Sequence, residues 1–310
     1  MPEAKVILLM GATATGKTEL ALALSERFEV EIISVDSALI FRDMNIGTAK
    51  PEAEVLASVP HHLIDIVDPA DSWSVWEFLR QSRQLVADIS QRGHIPLLAG
   101  GTMMYFHAFE HGLNRLPEAD QALRRRLDGE IAEQGLAALH ERLAGIDAVS
   151  AERIKPTDSQ RIQRALEVYE LSGQPLSALQ QQATVGYGGS LEKIILGASD
   201  RSLLHQRIET RFLEMLEQGF VEEVEQLRSR ADLNLSLPSM RCVGYRQIWR
   251  YLDEELSRQQ MIEKALAATR QLAKRQITWL RKQSGCGSYD CLNYRKDAIF
   301  RQVEAAYAAL

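Results

Sequence analysis

The chain has 310 residues, 45% hydrophobic and 25% charged, with a formal charge of −6 at pH 7. That length suits one large domain or a nucleotide-binding domain carrying an insertion, and the acidic balance excludes a uniformly basic nucleic-acid binder, so any RNA contact must come from local patches. Three cysteines, Cys242, Cys286 and Cys291, form no C-x-x-C pair, which argues against a disulfide framework or a zinc site and leaves them as free thiols.

In chain order, the first apolar run, residues 6–10, is five residues long, too short for a signal-peptide core or a membrane span; a cytoplasmic protein without a membrane partner is expected. It leads into GATATGKT: Gly11, Ala12, Thr13, Ala14, Thr15, Gly16, Lys17 and Thr18 match G-x-x-x-x-G-K-[ST] between a predicted strand and a helical run over 19–27. Glycines let the backbone curl so that successive N–H groups and a helix N-terminus face a diphosphate, with Lys17 adding charge and Thr18 a metal-facing hydroxyl.

Further strand candidates are residues 30–35, 63–67, 95–99 and 194–198, alternating with helical patterns as in a parallel sheet covered on both faces. Asp36 ends the second, where ligands collect in such sheets; a turn or N-cap aspartate is the plainer reading. AGGT, residues 99–102, permits close backbone approach to a ligand or a plain tight turn. The run IPLLAGG lacks the strand-terminal aspartate with which ordinary P-loop ATPases hold Mg²⁺, which weakens a motor or ATPase reading.

Residues 113–192 read as all-helical, with Leu123, Leu127 and Ile131 at helical spacing. The expected fold class is therefore α/β: a P-loop parallel sheet core flanked by helices, residues 1–112 and 193–310, with an inserted all-helical domain over 113–192. Basic clusters lie at 124–126, 160–164 and 270–282; each alone is an ordinary solvated face, but together in an acidic chain they suggest an anionic track suited to RNA phosphates. Arg201, Arg207 and Arg211 sit on the helix after the last strand candidate, so at least one is expected to face the P-loop. His61 and His62 lack a third metal ligand, and Met103, Met104 and Tyr105 read as helix packing.

The segments ISVDSALIFRDMNIGTAKP, HHLIDIVDP, LLAGGTMMYF, RIQRALEVYELSG, LPSMRCVGYRQ and TRQLAKRQITWLR together resemble the bacterial tRNA dimethylallyltransferase family over essentially the whole chain. The resemblance implies transfer of a dimethylallyl group from its diphosphate to the N6 amine of the adenosine 3′-adjacent to the tRNA anticodon, releasing diphosphate. It further implies a P-loop on the diphosphate, Asp36 as general base, Thr18 and Arg211 as diphosphate or Mg²⁺ contacts, and Lys17 in the catalytic set. Asp36, Ser37, Ala38, Leu39, Thr102, Arg124, Gln160, Arg161, Ile162, Gln163, Arg164, Arg241, Cys242, Val243, Gly244, Tyr245 and Arg246 would face the tRNA anticodon loop, the insertion gripping it. No obligate protein partner is expected. The chain departs from the family pattern at Ala12, Thr15, Phe41 and Ala99, and Phe41 lacks the hydroxyl of the usual tyrosine. The alternatives are a small-molecule P-loop enzyme, either an adenylate prenyltransferase or a nucleotide kinase, and a nucleotide-dependent switch. A free-adenylate acceptor needs no basic insertion, and the chain has no N-K-x-D guanine signature.

Overall fold

The protein is described by a computed structural model covering residues 4–307. Apolar runs flanked by turn residues become strands β1 (Val6–Gly11), β2 (Val30–Val35), β4 (Ile95–Gly100) and β5 (Leu191–Gly197), and two further strands, β3 (His61–His62) and β6 (Cys286–Asp290), complete the sheet. All pair in parallel, in the order β3-β2-β4-β1-β5-β6. Helices α1 (Lys17–Arg27), α2 (Ala53–Ser58), α3 (Val75–Gln91) and α4 (Met103–His111) alternate with the first strands. The insertion carries α5 (Gln121–Gln134), α6 (Leu136–Ile146), α7 (Ala148–Arg153), α8 (Ser159–Ser172) and α9 (Leu176–Gln180). The chain then adds α10 (Arg201–Glu217), α11 (Phe220–Arg228), α12 (Tyr245–Leu252), α13 (Arg258–Leu280) and α14 (Lys296–Tyr307).

Two compact units result: a helical one, His111–Gly186, and a sheet unit made by the rest of the chain. The helical unit closes before residue 192 because Leu191 and Glu192 already pair with Val6 and Ile7 in the sheet. Its own core is Leu127, Leu139, Leu143, Ile162 and Leu166. In the sheet unit, β1 and β5 side chains Ile7, Leu9, Ile194 and Leu196 bury against Leu20 and Leu24 of α1 and Ile299 and Val303 of α14. A second cluster joins α10 to α13 around Phe212, Phe220, Tyr245 and Ile248. Caps start two of the long helices: Ser74 with Glu77 and Ser257 with Gln260 form capping boxes on α3 and α13.

Two strands depart from the expectations. The third lies at His61–His62 rather than 63–67, because Leu63 (φ 61°) and Asp65 (φ 56°) adopt left-handed backbone that ends the extended run. The N–H groups of Asp65, Ile66 and Val67 instead donate to Leu39 and Ile40 carbonyls, fastening this segment to the chain after β2. β6, with sequence CGSYD, has no apolar run to announce it; it gains strand form by pairing with β5 at the sheet edge.

Candidate active site

The order β2-β4-β1 places the loops leaving these strands side by side: the P-loop after β1, the turn at Asp36 after β2, and Gly101–Thr102 after β4. The P-loop holds its curl with two left-handed residues, Ala14 at φ 62° and Gly16 at φ 83°. A Cβ on Gly11 would lie 2.7 Å from Thr15 Oγ1 and 2.9 Å from the Leu196 carbonyl, so only glycine fits there. The buried Thr15 hydroxyl donates to Ala12 O at 2.8 Å and closes the loop from behind.

A cleft of about 830 Å³ opens here, lined by Thr13, Ala14, Gly16, Lys17 and Thr18 on one side, and by Asp36, Leu39, Gly101 and Arg211. Gly11, Ala12 and Thr15, expected among the diphosphate contacts, lie behind this surface: all three are buried, and the packing just described makes them residues that shape the loop.

Lys17 is half-buried, and its Nζ donates to Ala12 O at 2.6 Å. Burial pushes its pKa down to about 8, Asp36 pulling it up and Arg211 adding to the depression. On α10, Arg211 turns into the cleft, as expected of at least one arginine there, and its Nη2 donates to Thr13 Oγ1 at 2.5 Å. Burial also lowers the Arg211 pKa, opposed by Asp36. Thr18, in the first turn of α1, is exposed. Two cations thus border a loop of N–H groups, an arrangement made for a polyanion.

Asp36 forms a turn and also borders the cleft. One carboxylate oxygen, Oδ1, accepts from Ala38 N at 2.8 Å and Leu39 N at 3.4 Å, a turn of the Asx kind. The same residue lines the cleft. Beside it, the Thr102 hydroxyl accepts from Ser37 N at 3.1 Å, tying the turn to the loop after β4. The AGGT glycines serve close approach within the protein: a Cβ on Gly100 would meet Val35 O at 2.1 Å, and one on Gly101 would meet Gln276 Nε2 at 2.5 Å.

The remaining RNA candidates separate by exposure. In α8, Gln160 and Arg161 are exposed, whereas Ile162 is fully buried in the helical core, so its side chain is removed from the set of RNA contacts. Gln163 donates to Arg124 O and Asp128. Arg124 and Arg164 both bind the fully buried Glu167, at 2.9 Å and 2.5 Å. Burial pushes the Glu167 carboxyl up, and the two guanidiniums with the Asp120 N–H more than reverse it, holding it below the usual carboxylate range. Around the start of α12, Arg241 and Arg246 are exposed and Cys242 and Val243 half-buried. Gly244 (φ 91°) and Tyr245 are buried, the Tyr245 hydroxyl donating to Glu223 at 2.6 Å; packing, not RNA contact, accounts for both. Of the helix-packing expectation at 103–105, Met103 and Tyr105 are buried and Met104 is 46% exposed.

Residues 39–283 match the model of the family described as IPP transferase, and residues 4–66 that of isopentenyl transferase. The chain belongs to the IPP transferase family. It is 56% identical over 304 residues to a tRNA dimethylallyltransferase of Janthinobacterium sp. (strain Marseille), covering 97% of each chain. A relative of the same description from Alkalilimnicola ehrlichii is 54% identical, over 96% of this chain and 94% of that one. Among solved structures, the tRNA isopentenylpyrophosphate transferase of Bacillus halodurans superposes with a TM-score of 0.70 at 34% identity, covering 97% and 95% of the two chains. A eukaryotic dimethylallyltransferase acting on tRNA gives 0.81 at 25% identity, over 97% of this chain and 78% of that one.

Two residues of this IPP transferase chain escaped the sequence reading. Glu223 on α11 accepts from the N–H groups of Asn45, Ile46 and Gly47 at 2.9, 2.7 and 3.2 Å, pinning the loop that continues to the cleft-lining Thr48 and Ala49. Gln276, inside a cluster read for its basic residues, is a buried amide bonded to two of the cleft's loops. A signal existed for Gln276: it falls between Ala273 and Leu280 at three-and-four spacing, on the buried stripe of α13.

Proposed function

We propose that the P-loop cleft is where this IPP transferase family member performs dimethylallyl transfer from dimethylallyl diphosphate to tRNA, at the N6 amine of the adenosine 3′-adjacent to the anticodon. The observation that carries this is the convergence of Lys17, Arg211 and Asp36 on one cleft beside the P-loop. Lys17, Arg211 and the loop N–H groups stabilise the diphosphate as the allylic C–O bond breaks and its electron pair leaves with oxygen. The adenine nitrogen forms the new C–N bond and its proton passes to Asp36, whose Oδ1 is held by the Ala38 N–H.

A divalent cation fits the donor set: Thr18 presents an exposed hydroxyl at the cleft, and a diphosphate supplies further hard oxygen ligands. Mg²⁺ there, held by Thr18 and the diphosphate, would neutralise charge on the leaving group.

The acceptor base must leave the anticodon-loop stack, which costs a few kcal/mol and least in single-stranded RNA. Gln160 and Arg161 of the helical unit, and Arg241 and Arg246 of the sheet unit, offer exposed polar groups for the RNA backbone. Among the described residues no helix is long and apolar enough to cross a membrane. A tRNA acceptor fits work in the cytoplasm.

The test is to incubate the protein with Mg²⁺, radiolabelled dimethylallyl diphosphate and tRNA with an adenine-rich anticodon loop, running free adenylate and γ-labelled ATP in parallel. Label in tRNA alone is expected; label in adenylate, or phosphate transfer from ATP, overturns the acceptor assignment.

A further inference from the structure

We infer that Gln276 is a positioning residue for the transfer, its buried side-chain amide holding the donor side and the acceptor side of the cleft in register. Its Oε1 accepts from the P-loop N–H of Thr13 at 2.9 Å, and its Nε2 donates to Gly101 O at 2.8 Å. The partners fix the amide's orientation, since a backbone N–H only donates and a carbonyl only accepts. The side chain is 8% exposed, and the space it occupies requires a glycine at 101, where a Cβ would lie 2.5 Å from Nε2.

Each partner leads to a different half of the reaction. Thr13 carries the hydroxyl that receives Arg211, so it belongs to the cationic, diphosphate side. Gly101 precedes Thr102, whose hydroxyl takes the Ser37 N–H next to Asp36, so it belongs to the side that meets the adenine. The bonds reach from α13 across 263 and 175 residues of sequence. A part-buried N–H and a buried carbonyl left without the Gln276 amide lose their fixed places, and displacements of about 1 Å between reacting groups cost about a hundredfold in rate. A residue whose only task was to fill the core would be apolar, like Ala273 and Leu280 on the same stripe.

The inference rests on the P-loop holding the donor diphosphate, and the test separates the two. Gln276→Leu removes both bonds at similar volume. Gln276→Glu retains both in its protonated form, but when ionised sets a second acceptor against the Gly101 carbonyl. Steady-state transfer, tRNA Kd, donor KM and thermal midpoint are measured for both variants and the unaltered enzyme from about pH 6 to 8.5. Dividing by the unaltered enzyme at each pH removes the pH dependence that the variants share with it.

For Gln276→Leu, kcat is expected to fall by about a hundredfold while tRNA Kd and donor KM stay within about threefold. For Gln276→Glu, activity relative to the unaltered enzyme is expected to rise as pH falls. A Gln276→Leu enzyme with unchanged kcat, a loss confined to tRNA Kd, or a flat pH ratio for Gln276→Glu overturns the positioning role. An unaltered enzyme that transfers nothing to tRNA overturns the underlying reading instead.

Discussion

Lys17, Arg211 and Asp36 in the sheet unit border an open cleft, and the hydrogen bonds that hold the two cations run to neutral oxygens, Ala12 O and Thr13 Oγ1. In the helical unit three arginines of the two apparent basic clusters are committed to carboxylates: Arg124 and Arg164 to Glu167, and Arg126, together with Arg142 of α6, to Glu130 and Glu170. The contrast teaches that a cluster of arginines in a sequence is not yet a cationic surface. A guanidinium bonded to a buried carboxylate is neutralised locally and fixes the fold, whereas one bonded to a neutral oxygen keeps its charge for a ligand.

The largest expected effect tests the sheet-unit half of this comparison. Asp36→Asn keeps an oxygen for the Ala38 N–H, preserving the turn, but removes the base. Transfer is expected to fall by about 10²–10⁴-fold with tRNA affinity nearly unchanged. Single-turnover transfer and filter binding check both, and equal losses in the two would make the residue a binding group only.

Glu167→Gln breaks the helical half. It leaves two guanidiniums, partly exposed and so partly screened, without their counter-charge, at a cost of about 2–3 kcal/mol. Hydrogen exchange is expected to accelerate in α5 and α8 and not in the sheet unit; an unchanged helical unit would mean that Glu167 is not what organises it.

A smaller effect comes from Lys17. Its pKa in the fold, near 8, lies below the ordinary lysine value of 10.5, mainly through burial. The ammonium is present below pH 8 and lost above it, so donor kcat/KM is expected to fall by about thirtyfold as pH rises from 7 to 9.5. The same displacement means that folding disfavours the charged form: stability gains between pH 8 and 10.5 and does not depend on keeping the ammonium. Lys17→Arg, charged throughout, is expected to flatten that limb of the profile. A limb that persists in it belongs to another group.

The P-loop, the strands over 30–35 and 95–100, and the helical insertion were legible because each is a local pattern: fixed glycine spacing, β-branched runs, or apolar residues every three or four positions. β6 was not legible, since CGSYD acquires strand geometry only by lying beside β5. The stretch 63–67 misled for the opposite reason: it is a short apolar run like those of the strands, but the N–H groups of Asp65, Ile66 and Val67 are taken by Leu39 and Ile40 carbonyls. Ile162 and Tyr245 sit among exposed basic residues in sequence, and only packing turns their side chains inward.

By itself the sequence determined which chemical groups exist and which are carried on strand ends and helix starts, because those relations span a few residues and are set by backbone sterics. Only the tertiary structure decided which of them meet. The Thr13 N–H, Gly101 carbonyl and Gln276 amide are joined across hundreds of residues, and Glu167 selects the arginines it holds from two helices, since such choices depend on burial and geometry that no local pattern encodes.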